Sequence, residues 1–484
     1  MKTKTLTLVL VAAISLSCSS TQPQADSFDQ ITTSTIPTPS QIKAEPNGNT
    51  KTHSISPSTS AVPTLQQPPS LEGIPTENCR IEELGRQKFN SSTGFPVDFH
   101  NLQSDQEVRL AVIAVDWPDF KAETHRLVEE NEDVRIFVNY YQQVSQGQLT
   151  FQVDYATQWY TLPETIDQYP QTQVYDFNSK LAQHAITAAD ADFNFSEIDV
   201  VIFALPEFPP IPAGVPQSTT EFASFQHFNA FSSKEDPRMI FSEEGWVRNY
   251  VGAGFYFDDP DRPKWSYYIH EVAHMFSLPD LYMNEANFNL GTQQHIDINY
   301  SIGPMNVWSV MSTPDGPSRT FESWSRFLMG WLTDEQVICY DIFQFYGQRE
   351  VELELLPLDV YGVNEGIKTV IIKTGTHTAL VIESRRPIFL DEKLSHWEKV
   401  GRAPQGIIVY QVDVTKNDGE GPLVLVLPEG QSQKAFRTHS RSPVLKVDAL
   451  YNVGSIGQTD LLSIELLKSE KFDKVHISLK EQKD

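Results

Sequence analysis

YYIHEVAHMFSLPDLY, residues 267–282, carries two histidines four positions apart, a glutamate beside the first, and a proline that ends the apolar run. A helix turns once per 3.6 residues, so His270 and His274 fall on one face, one turn apart. Two imidazole nitrogens so placed can reach one ion at about 2.0–2.1 Å, the distance zinc prefers. Glu271 is rotated by about 100° from His270, which leaves its carboxylate free to face a water beside the ion. Ile269, Val272, Ala273 and Phe276 supply the apolar faces that seat the helix in a core. The stretch therefore has HExxH spacing on a helix.

Ten residues after His270 stands Asp280. Extended zinc motifs of the HExxHxxGxxH/D type stop the helix at the glycine, turn, and present a third ligand there. Pro279 cannot continue a helix, so the chain has turned by that point. Ser277 occupies the glycine position; a serine held left-handed costs on the order of 1 kcal/mol, which a folded domain tolerates. Asp280 is the candidate third ligand, with Glu285 and Glu322 as alternatives. Met311, in VWSVMST, follows His274 by thirty-seven residues and is read as the methionine turn of metzincin-type proteases. Ser312 and Thr313 stand where many metzincins carry a tyrosine, so a second oxyanion donor is not identifiable.

Upstream, VRLAVIAV (108–115) reads as a buried strand and 133–146 as a helix ended by Gly147. A strand follows at 149–155, a helix at 179–189 and a strand at 198–205, which predicts a mixed sheet with packed helices. Beyond Tyr340 short β-rich runs take over: 351–356, 369–373, 380–384, 407–412, 423–427 and 475–479. No internal repeats are evident.

Several of these segments together resemble the immune inhibitor A-type secreted zinc metalloproteases of bacteria. VRLAVIAVDWPDF (108–120) resembles that family's opening strand, and YYQQVSQGQLTFQVDY (140–155) with WYTLPETIDQY (159–169) its second segment. YIHEVAHMFSLPDLY is similar to its zinc helix, VWSVMS and WSRFLMGWL (324–332) to its methionine turn and following helix, and ALVIESRR (379–386) and GIIVYQVD (406–413) to its β-domain signature. Ser277 for glycine and Met329 for leucine depart from the usual pattern. The resemblance implies a zinc endopeptidase acting on protein or peptide. The expected fold is α+β: a metzincin-like protease domain over 76–340, then a β-sandwich-like domain over 341–484. His270, His274 and Asp280 would hold Zn²⁺ and Glu271 would act as general base.

The N-terminus, MKTKTLTLVLVAAISLSCSS, has Lys2 and Lys4 ahead of an apolar stretch too short to span a bilayer, as an export signal does. The residues before Cys18 resemble a bacterial lipobox, with Ser15 where leucine is usual, so residues 1–18 are read as signal and Cys18 as a lipidation site. The expected location is the cell envelope or the exterior, with membrane contact only through the lipid. Residues 19–75, rich in Ser, Thr, Pro and Gln, form the expected disordered tether. Of the three cysteines, Cys79 and Cys339 then remain as a pair able to form a disulfide.

Acidic residues outnumber basic ones 63 to 37, giving a net charge of −26, which excludes a phosphate-neutralising nucleic-acid surface. The segment 284–306, with Asp297 and Asn299, lacks EF-hand spacing and reads as a polar loop ahead of a calcium site. Glu383, Arg385 and Arg386 read as a structural ion pair at the domain boundary. Two alternatives stand beside the protease: a surface-binding lipoprotein with a structural zinc, and a zinc hydrolase of non-peptide substrates.

Overall fold

The apolar run 108–115 becomes the central strand of the first sheet. The computed structural model describes residues 71–84, 91–99, 101–122, 132–169, 179–206, 225–227, 239–253, 258–259, 262–282, 305, 308–313, 318–346, 349–361, 366–391, 405–426, 450–453 and 460–481. The signal, Cys18, nearly all of the expected tether, Glu285 and the 284–304 part of the polar loop lie outside the described residues.

Strand β1 (Glu107–Asp116) is buried without interruption from Leu110 to Asp116, because the sheet is covered on both faces. Parallel to it run β2 (Thr150–Tyr155), β3 (Tyr160–Thr161) and β4 (Val200–Ala204). The short β5 (Phe225–His227) is followed by a hairpin of β6 (Ile240–Ser242) and β7 (Gly245–Val247), and then by β8 (Tyr250–Gly252). The sheet order is β2-β1-β4-β8-β5, parallel except for β5, with β3 beside the end of β1. A two-residue ribbon, β9 (Asp258–Asp259) and β10 (Arg262–Pro263), leads into the helix that carries His270 and His274.

Helices are few. α1 (Glu132–Val144) ends where Gln146 and Gly147 turn left-handed, at φ +56° and +80°. α2 (Ser179–Ala189) falls on its expected range, α3 (Lys264–Met275) carries the histidines, and α4 (Ser323–Leu328) follows the methionine segment. The Tyr141 hydroxyl of α1 donates to the Ile269 carbonyl of α3 at 2.7 Å. Asp133 of α1 accepts from the Trp265 N–H at 3.2 Å and so serves one of the orphan donors at the start of α3.

Two antiparallel-rich sheets complete a mixed α+β architecture. One is β11 (Val337–Asp341), β13 (Thr369–Lys373), β14 (Thr378–Arg385), β15 (Gly406–Asp413) and β16 (Leu423–Leu425), in that order. The other runs β12 (Glu350–Leu355), β19 (Asp473–Glu481), β18 (Asp460–Ser469) and β17 (Leu450–Val453). Alternation along β14 and β15 divides their side chains. Leu380, Ile382, Ile407 and Val409 share a layer with Ile464, Leu466, Val475 and Ile477 of the four-stranded sheet. Ala379, Val381, Ile408 and Tyr410 join the core of the first sheet and α3. The five-stranded sheet is thus buried on both faces, and the boundary drawn after residue 340 falls inside β11.

Cys79 and Cys339 form a disulfide that links the start of the described chain to β11. A buried ionic cluster lies where β14 meets the rest. Arg385 is fully buried and bonds Glu383 at 2.6 Å, Asp391 at 3.0 Å, the Thr320 hydroxyl at 2.6 Å and the Trp308 carbonyl at 2.8 Å. Beside it Arg386 bonds Asp473 of β19 at 2.9 Å. A buried guanidinium is tolerated only when its donors are met this fully. Arg385→Met is expected to lower stability by about 3–5 kcal/mol, since it removes the guanidinium that neutralises the buried Glu383 and Asp391 carboxylates. Denaturant unfolding measures this; Arg135→Ala, in the exposed pair with Glu132, is the control that should leave the midpoint unchanged.

Candidate metal centre

α3 is buried on almost every face: Ile269, Val272, Ala273 and Met275 are fully buried, and His270 and Glu271 are buried with them. Its end is a Schellman turn, with Ser277 N–H to the His274 carbonyl at 2.9 Å and Leu278 N–H to the Ala273 carbonyl at 3.2 Å. Ser277 takes the left-handed position, φ +67°, that glycine normally fills. Its strain is offset locally: the Ser277 hydroxyl donates to the Asp98 carbonyl at 2.8 Å, and its own carbonyl accepts from Ser92 N–H at 2.7 Å.

The turn brings Asp280 back over the helix. His270 Nε2 and His274 Nε2 lie 3.2 and 3.3 Å from the same atom, Asp280 Oδ1. Each ring is fixed from behind, with His270 Nδ1 2.8 Å from the Val310 carbonyl and His274 Nδ1 2.8 Å from the Leu278 carbonyl. A carbonyl only accepts, so both Nδ1 atoms carry a proton, and the Nε2 atoms are the ones turned inward to Asp280, protonated there or offering a lone pair to a cation. Asp280 Oδ1 is buried and has no hydrogen-bond donor. Unprotonated, these three atoms converging in a mostly buried space repel one another unless a cation sits among them. This donor set of two imidazoles and a carboxylate, with a backbone carbonyl behind each ring, fits zinc. Glu271 belongs to the same cluster, its carboxylate and the two imidazoles offering atoms within 4.8 Å of one another. Asp280 lies nearer to both nitrogens, which makes it the better third ligand and leaves Glu271 beside the ion position.

Electrostatics follow the geometry. Burial alone would lower the His274 pKa, but Asp280 and then Glu271 outweigh it and push it up to about 10. His270 is raised against its burial by the same two carboxylates. Burial raises the Glu271 carboxyl above its ordinary value, opposed by the imidazoles and by a hydrogen bond from Tyr267. Asp280 is held well below the carboxylate range, its burial overcome by the two histidines.

Met311 is fully buried in the turn 308–313, whose Val310 carbonyl orients His270 and whose Met311 carbonyl accepts from Leu281 N–H at 3.0 Å. Glu322 does not join the centre: it caps α4, with its carboxylate taken by Ser325 N–H at 3.1 Å and the Ser309 hydroxyl at 2.6 Å. Two neighbours escaped the sequence reading. Asp418, in the turn after β15, accepts from the Asp280 N–H at 2.6 Å; burial and then Asp280 push its carboxyl up to about 6. Tyr282 stacks parallel to His270 with ring centroids 6.4 Å apart. The LPDLY ending could have flagged Tyr282; nothing local in KNDGEG ties Asp418 to this place.

Compared with known protein families and with curated proteins, the sequence gives no match.

With no cation bound, His274 keeps its second proton up to about 10, so zinc must displace it. Zinc affinity should therefore rise about tenfold per pH unit below about 10 for the His274 proton displaced. Calorimetric titration in two buffers of different ionisation enthalpy counts the protons released; none released would contradict the arrangement.

Proposed function

We propose that the protein is an exported zinc-dependent endopeptidase with a metzincin-like catalytic region and a β-sandwich-like C-terminal region. The observation that carries this reading is the buried, donorless Asp280 Oδ1 between two inward-pointing imidazole nitrogens, with Glu271 beside them. The choice of peptide as substrate, export, and a lipid on Cys18 rest on the sequence resemblance.

His270, His274 and Asp280 would hold the ion. Zinc bound there supplies Lewis acidity, acidifying water and polarising a carbonyl. Glu271 takes a proton from the water that attacks the scissile carbonyl carbon, as its C–N bond begins to break. It then passes that proton to the departing amine nitrogen, so the cycle closes with Glu271 ionised again. Tyr267, hydrogen-bonded to Glu271, keeps the carboxylate oriented for both transfers.

A non-catalytic zinc site in a binding lipoprotein is the rival. Structural zinc sites close all four positions with protein ligands and do not need a free carboxylate alongside. Glu271 therefore favours the enzyme.

Glu271→Gln is expected to retain stoichiometric zinc while cleavage of casein or gelatin falls by about 10²–10⁴-fold. Metal analysis paired with a proteolysis assay checks both halves. Undiminished cleavage refutes the role of Glu271, and wild-type protein that is zinc-loaded but inert on protein, peptides and esters favours the binding module.

A further inference from the structure

The segment that presents Asp280 is pinned by its main chain almost everywhere. Ser277 and Leu278 N–H groups bond back into α3, Pro279 has none to offer, and Leu281 N–H bonds to the Met311 carbonyl. Asp280 N–H is the exception. Its partner is a side chain, Asp418 Oδ1 at 2.6 Å, 138 residues further along the chain.

Asp418 sits on a built turn between β15 and β16. Asn417 N–H and Nδ2 donate to Glu420 Oε2 at 2.9 and 3.0 Å, and Glu420 N–H returns to the Asn417 carbonyl at 3.0 Å. Gly419 and Gly421 take the left-handed φ values of +65° and +71° that this tight return requires. Next to it, the Lys416 carbonyl accepts from the Thr93 hydroxyl at 3.4 Å, and Asp418 itself is 9% exposed.

We propose that Asp418 is a positioning residue for the metal centre, setting the direction of the Asp280 carboxylate through the Asp280 amide. The inference rests on the zinc reading above. The N–H groups of Asp280 and Leu281 bracket the Asp280 Cα, so fixing both fixes where its side chain leaves the backbone. Without an acceptor at 418, a buried N–H beside the third ligand has no partner, and the turn relaxes to find one. The β-rich region is on this account part of the metal site.

The test compares full-length wild type, Asp418→Ala and Asp418→Asn by zinc competition titration and by the visible spectrum of the Co²⁺-loaded proteins. Thermal midpoints of the metal-free forms check folding. Asp418→Ala should weaken zinc binding by about 10–100-fold and shift the Co²⁺ bands, as loss of an outer-shell partner does. Asp418→Asn keeps an accepting oxygen and should stay within about fivefold of wild type, since the role is the hydrogen bond. An Asn variant as weak as the Ala variant overturns the positioning role, because charge or direct ligation would then be at work. A folded Asp418→Ala with wild-type affinity and spectrum also overturns it. If Asp418→Ala does not fold, Asp418→Ser is the truncation to use, with the same two outcomes. Wild-type protein that takes up no metal defeats the zinc reading and this inference together; unchanged variants of a metal-binding wild type defeat this inference alone.

Discussion

The Nε2 atoms of two imidazoles lie 3.2 and 3.3 Å from one carboxylate oxygen that has no hydrogen-bond donor. Placing them so is unfavourable without positive charge, and the surrounding structure is what enforces it. α3 is buried along its length, so neither histidine can swing out without exposing core. The left-handed turn at Ser277 then returns the chain within three residues. A carboxylate elsewhere on the surface would be easier to solvate, and it would not face the two rings.

Most of the restraint comes from main-chain groups. The carbonyls of Val310 and Leu278 set the tautomers, the Met311 carbonyl holds the ligand segment, and the Asp98 carbonyl receives the Ser277 hydroxyl. Carbonyl acceptors are present whatever the side chain, so they leave no mark in a residue pattern. They also make the serine acceptable: its hydroxyl returns by a hydrogen bond part of what glycine would have saved in strain.

What could be read beforehand divides along the same line. The 3.6-residue spacing of His270 and His274 and the proline stop are local, and they marked both the helix and its end. β13, β14 and β15 were legible because unbroken apolar runs signal strands covered on both sides. β18 was not, since LLSIELLKS mixes strand alternation with a composition that equally suits a helix. The double role of β14 was hidden for another reason. One face of its sheet completes a layer with β12, β18 and β19, the other completes the core around α3, and only the tertiary structure says so. A division at 340 follows from composition; the continuity of the core across it does not.

Glu322 and Asp280 show how geometry decides between residues that chemistry leaves equal. Both carboxylates follow the motif in sequence, and Glu322 is fully buried while Asp280 is mostly so. Glu322 precedes a helix whose first N–H groups need an acceptor, and its neighbours Ser325 and Ser309 also donate to it. With three donors it has no demand left for a cation. Asp280 follows a helix end whose carbonyls are already met within the turn, and its Oδ1, without a donor of its own, faces the Nε2 atoms of both histidines. An unmet acceptor is what a metal ion satisfies. The preference for Asp280 thus rests on which carboxylate has its donors met: Glu322 has them at a helix N-terminus, and Asp280 Oδ1 does not.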